Sequence, residues 1–154
     1  MNRKTILATL AGLGIGAAMC LAADANMGTW KLNETKSKLS PSGAKNTMVV
    51  YQAAGDQVKV TTDGFGADGK PLHTEWTGKY DGKDYPVTGD AGSDTRSYTK
   101  VGANDLKISI KKAGKETATV SVMMGADGKT RTVTTSSTDA AGKKTTSTAV
   151  YDKQ

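Results

Sequence analysis

Two runs between residue 106 and residue 124 alternate on either side of a turn. Leu106, Ile108 and Ile110 are separated by Lys107 and Ser109, and Ala118, Val120, Val122 and Met124 by Thr119, Ser121 and Met123. A period of two places every apolar residue on one face of an extended strand and every polar one on the other. The same alternation puts Leu72, Thr74, Trp76, Gly78 and Tyr80 on one face, opposite His73, Glu75, Thr77 and Lys79. Val58 and Val60 repeat it. No stretch after the first 23 residues carries a convincing helical period, so the chain is read as all-β.

Turn signals fall between these runs at short, even spacing: Ala54-Gly55-Asp56, Asp68-Gly69-Lys70, Asp81-Gly82-Lys83, Ala113-Gly114-Lys115, Asp127-Gly128-Lys129 and Ala141-Gly142-Lys143. Glycine supplies the positive φ that tight hairpins need. Strand cores are expected at 29–33, 47–53, 57–63, 72–80, 84–87, 94–100, 104–112, 116–124, 130–137 and 144–152. Short loops between consecutive strands make an antiparallel up-and-down meander of about ten strands. Closure into a barrel removes its exposed edges. The pentapeptide GADGK occurs twice, at 66–70 and 125–129, and is read as a reused hairpin turn.

The first residues differ in kind. Arg3 and Lys4 precede a run from Ile6 to Leu21 without a charge, followed by Leu21-Ala22-Ala23-Asp24-Ala25. Charge, apolar run and small residues are the parts of a secretory signal peptide, and the run is shorter than the ~20 residues of a spanning helix. Residues 1–23 are therefore expected to be removed, with cleavage after Ala23 or Ala25. Residues 24–154 then form one domain, exported to the periplasm or beyond, without a membrane span and monomeric.

Composition limits what holds that domain together. The single cysteine, Cys20, leaves with the signal, so no disulfide contributes. Leu, Ile, Val and Phe supply only 17 of the 131 remaining residues. The charge of the whole chain is +6, and loss of Arg3 and Lys4 leaves +4, too mild to indicate nucleic acid. A thin but ordered core argues for a folded domain of modest stability.

Catalytic chemistry is sparse. His73 is the sole histidine and lies on a polar strand face, so no metal site is expected. Most aspartates belong to turns, and the three glutamates, Glu34, Glu75 and Glu116, are too scattered for an acid–base pair. No enzymatic activity and no cofactor are expected. In residues 80–90, Pro86 and the surrounding glycines and aspartates interrupt the strand pattern. There Tyr85, with Arg96 and Tyr98, either frames a cavity entrance or caps the core.

Gly28-Thr29-Trp30 opens the first strand, and Ala149-Val150-Tyr151 stands in the last. With a meander of this length between them, the chain resembles the calycins, the lipocalins and fatty-acid-binding proteins, and small exported bacterial proteins of lipocalin-like shape. The resemblance implies a lipocalin-like barrel in which Gly28 and Trp30 close one end and a small apolar ligand occupies the interior. Trp76, Tyr80, Tyr85, Arg96, Tyr98 and Tyr151 are the candidate ligand-binding residues. The helix pair that fatty-acid-binding proteins place after their first strand has no counterpart in the polar residues 33–46. Their carboxylate-binding Arg-x-Tyr becomes Ala149-Val150-Tyr151. Neutral molecules are therefore expected to bind at least as well as fatty acids, unless Arg96 or Arg131 faces inward. The alternative function is a protein-interaction or inhibitor barrel with a filled interior and loop-borne activity.

Overall fold

The computed structural model describes residues 24–41, 43–138 and 142–154. The expected signal peptide lies outside them. Ten strands follow in order: β1 (Gly28–Lys38), β2 (Lys45–Ala54), β3 (Gln57–Phe65), β4 (Pro71–Gly78), β5 (Tyr85–Thr88), β6 (Thr95–Lys100), β7 (Leu106–Lys112), β8 (Lys115–Met124), β9 (Thr130–Thr138) and β10 (Lys144–Lys153). Each pairs antiparallel with its neighbours, and β1 pairs with β10, so the meander closes into a barrel. Among the described residues every strand thus has a neighbour on both sides, which is the way such a strand-rich chain avoids edge-to-edge association.

The alternation sets the two faces. Thr74 and Trp76 of β4, Leu106 and Ile108 of β7 and Val120 and Val122 of β8 are buried inside, while Lys59, His73, Glu75 and Lys107 lie outside. On the outer wall Lys59 pairs with Glu75 at 2.7 Å across the β3–β4 ladder. The two GADGK segments form closely related turns, the second closing one residue later than the first. In one, Gly66 N–H donates to Lys70 O and Gly69 N–H to Gly66 O; in the other, Gly125 N–H donates to Thr130 O and Gly128 N–H to Gly125 O. In both, the aspartate side chain accepts the N–H two residues on, from Lys70 at 3.1 Å and Lys129 at 2.9 Å. That is the Asx-turn chemistry for which aspartate is selected in loops.

Register shifts interrupt three of the ladders among the described residues, one of them between Ile110 and Lys111 of β7 against β8, and two of them bear on the shape of the wall. β2 shifts register between Asn46 and Met48 against β3, where Gly64 sits so close that a Cβ there would stand 2.1 Å from Lys45 O. Only glycine admits that approach, and such corners give a barrel its curvature. The second bulge lies in β1, which runs five residues past its expected end. Between Asn33 and Lys38 the pairing with β10 slips. The Ser37 hydroxyl fills the gap: it donates to Asn33 O at 2.6 Å and accepts from Val150 N–H at 2.9 Å. A polar segment with no apolar alternation is thus held in the sheet by a side chain standing in for backbone.

One end of the barrel is covered by the segment before β1. Asn26 is fully buried there, its amide donating to Asn104 O at 3.0 Å and its carbonyl accepting from Trp30 Nε1 at 2.8 Å. Asp24 pairs with Lys100 at 3.3 Å and Lys153 Nζ donates to Ala25 O at 3.1 Å. Gly28, at φ +110°, makes the turn from this cover into β1 in a conformation that L side chains rarely adopt.

Candidate functional site

The interior of the barrel is not filled. A cavity of about 400 Å³ extends from this covered end towards the loops at the other, within the range of small-molecule sites. Its wall is aliphatic at mid-height, with Val49, Val60, Ile108, Val120, Val122 and Val133. Nearer the opposite end β9 and β10 contribute Thr135, Ser137, Thr145 and Ser147, of which Ser137 and Thr145 share a hydrogen bond of 2.8 Å. Small and β-branched residues leave space there that a core of Leu and Phe would close.

Three of the six candidate binding residues line this cavity: Arg96, Tyr98 and Tyr151. Trp76, Tyr80 and Tyr85 do not; they form a ring cluster behind it. Trp76 lies against Tyr98, with ring centres 4.0 Å apart, and meets Tyr85 edge-on at 5.9 Å. Tyr80 stacks on Tyr98 from 6.1 Å. Trp76 is held in place by donating from Nε1 to Arg96 O at 3.0 Å. Tyr85 donates its hydroxyl to Asp81 at 3.0 Å, and its half-buried ring stands over Trp76 rather than in the cavity wall. Burial pushes the Tyr98 phenol well above its ordinary value, against the Arg96 guanidinium and its hydrogen bond, which favour ionisation.

Both arginines left open by the sequence face inward, and they differ in their partners. Arg96 on β6 donates from Nη2 to Asp90 at 2.8 Å. Asp90 in turn accepts from the Ser93 hydroxyl at 2.5 Å and the Gly92 N–H at 2.9 Å. Burial raises the Asp90 carboxyl, but the Ser93, Gly92 and Arg96 hydrogen bonds outweigh it and hold the group below the usual carboxylate range. The charge of Arg96 is thus compensated, although its Nε is buried without a hydrogen-bond partner.

Arg131 on β9 is not. It is 2% exposed, lines the cavity, and has no carboxylate partner among the described residues. Its guanidinium carbon lies 4.6 Å from the ring centre of Trp30, 4.8 Å from that of Tyr51 and 5.3 Å from that of Tyr151, its cross-strand neighbour. Aromatic faces attract a cation, more strongly where water is excluded. Yet Nε and Nη1 of Arg131 are buried without a hydrogen-bond partner. Burial raises the Tyr151 phenol to about 12 even though the Arg131 charge pulls it down, so Tyr151 is a neutral hydroxyl, donating to Asn46 O at 2.9 Å.

Trp30 is wholly buried at the covered end, between Arg131 and the Lys153 ammonium, which stands 5.2 Å from its ring. The condition under which a buried cation faces the interior is therefore met, by Arg131 rather than by a residue of the last strand. His73, outside the barrel, accompanies Asp63 at 2.6 Å. Among the described residues no group of three His, Cys, Asp or Glu side chains is placed to hold a metal ion. No helix among them is long and apolar enough to cross a membrane. No protein-family model matches this chain, and no curated protein does.

Proposed function

We propose that this is a non-enzymatic exported binding protein, a calycin-like barrel whose interior holds a small, mostly apolar molecule. The observation that carries the reading is the open cavity of about 400 Å³ with its aliphatic wall. A barrel that served only to display loops would gain stability by filling that space, because each unfilled methyl-sized void costs about 1 kcal/mol. A thin core tolerates the loss only where the space has a use. The pattern of wall residues matches what binding cavities share: apolar surface with a few fixed polar groups, here Arg131, Arg96, Tyr98 and Tyr151.

A neutral apolar fluorophore such as N-phenyl-1-naphthylamine tests the reading. One equivalent is expected to bind per chain with enhanced emission, and Val122→Trp, which fills the cavity, is expected to abolish binding without loss of β structure. Absence of saturable binding contradicts the proposal and transfers the weight to an interaction barrel.

A further inference from the structure

Resting on the export half of that reading, we propose that the signal peptide is removed at the Ala23–Asp24 bond, because Asp24 and Ala25 are working parts of the barrel's cover.

The residue pattern admits two cuts. Hydrolysis after Ala23 or after Ala25 leaves a small residue at the new carboxyl end. Either reaction adds one water across the peptide bond, giving a carboxylate on the alanine and an ammonium on the residue that follows. The products differ in what the barrel keeps.

Asp24 is engaged through every polar group it offers downstream. Its carbonyl accepts from Met27 N–H at 2.9 Å and closes a turn. Its Oδ1 accepts from the Asn26 backbone N–H at 3.1 Å and from Asn26 Nδ2 at 3.0 Å. Its Oδ2 faces the Lys100 ammonium at 3.3 Å, and with the Asp24 side chain only 15% exposed, solvent and salt screen that pair weakly. Ala25 adds its carbonyl, which accepts from Lys153 Nζ at 3.1 Å.

A cut after Ala25 deletes all of these contacts. It also places the new ammonium on Asn26, a residue with no exposed surface. An α-amino group titrates at about 7.7–8.0 and is largely charged at neutral pH. Burying that charge is costly unless a counter-charge goes with it. Here the carboxylate that receives the Asn26 N–H would leave with the signal peptide, while Lys100 and Lys153, both of the same sign as the new charge, would remain at the cover. Asn26 also accepts from Trp30 Nε1 and donates to Asn104 O, so its displacement would loosen the ring beneath it. A cut after Ala23 avoids this conflict. The ammonium then falls on Asp24, which is partly open to solvent and carries its own carboxylate.

Expression of the full chain in an exporting bacterium tests the assignment, with N-terminal sequencing and intact mass of the protein recovered. The expected sequence is Asp-Ala-Asn. A product that begins at Asn26, or at any other residue past Met1, overturns the inference while leaving export intact. A chain that still begins at Met1 overturns the expectation of a removed signal peptide itself. Chains starting at Asp24 and at Asn26, each released from a cleavable N-terminal fusion, supply a second measurement. In the chain that starts at Asn26, the folded-to-unfolded ratio from urea denaturation is expected to fall by about tenfold or more, the scale of losing hydrogen bonds to a charged group. Failure of that chain to fold is the same result in its extreme form. Equal urea midpoints would overturn the argument from the cover.

Discussion

The Arg131 guanidinium lies over the ring of Trp30, 4.6 Å from its centre, joining the second-to-last strand to the first across the covered end of the barrel. Neither residue has another interior neighbour of comparable size on its own strand. Trp30 adds a hydrogen bond to Asn26 O, so one side chain ties the N-terminal cover, the first strand and the cavity floor together. Trp30→Ala is therefore expected to cost about 3–5 kcal/mol, the usual loss for truncating a buried aromatic. Urea denaturation followed by circular dichroism measures it. A midpoint equal to that of the parent would mean the ring is not a structural plug.

Ser37 gives a subtler test. Its hydroxyl completes the β1–β10 ladder where the register slips. Ser37→Ala leaves the Val150 N–H and the Asn33 carbonyl without that partner, and a loss of about 1–2 kcal/mol is expected. Amide hydrogen exchange should localise the effect, with Val150 exchanging faster and the β7–β8 amides unaffected.

His73, exposed on the outer wall, is expected to titrate above its ordinary value. Its 2.6 Å hydrogen bond to Asp63 raises the His73 pKa above 6.5, with the charges of Asp63 and Glu75 acting in the same direction. A raised folded-state pKa stabilises the protein below the unfolded value of about 6.5, and the contribution is lost as pH rises through the folded value. NMR titration of the imidazole should show the upward shift, and Asp63→Asn should lower the midpoint. Since both side chains face solvent, the effect on unfolding should be small.

Trp76 reports on the cavity without lining it. Its ring packs on Tyr98, which does line it. Trp76→Leu is expected to reduce the change in tryptophan emission on ligand binding while leaving the affinity within about threefold of the parent. Titration of the same probe into both proteins separates the two effects. An affinity lost together with the signal would place Trp76 in direct contact with the ligand.

Period two and glycine turns were enough to read ten strands and their order from the residues, because each interior valine or isoleucine announces its own face. The reach of β1 to Lys38 was not legible. Residues 33–38 carry no apolar alternation, and polar contacts to β10, the Ser37 hydroxyl and the Asn33–Asp152 hydrogen bond among them, keep them in the sheet. The cavity residues divided in the same way. Trp76 could be turned inward from Leu72 and Thr74 on its strand, but whether it faced the void or a second ring depended on β6. Arg131 was harder still. Threonines occupy both faces of β9, so polarity does not reveal which face is inside, and the one aliphatic residue that does, Val133, stands two positions away. Read from Val133, Arg131 points inward. An arginine among threonines otherwise reads as solvent-facing.

That the barrel interior is a working binding site is tested most directly by native mass spectrometry of the protein purified gently from its own host. The account predicts a population heavier than the bare chain by one small molecule, released on denaturation and recovered in the organic extract as a compound with an apolar body. Only bare chain in the spectrum, together with no uptake of the neutral fluorophore, would contradict it.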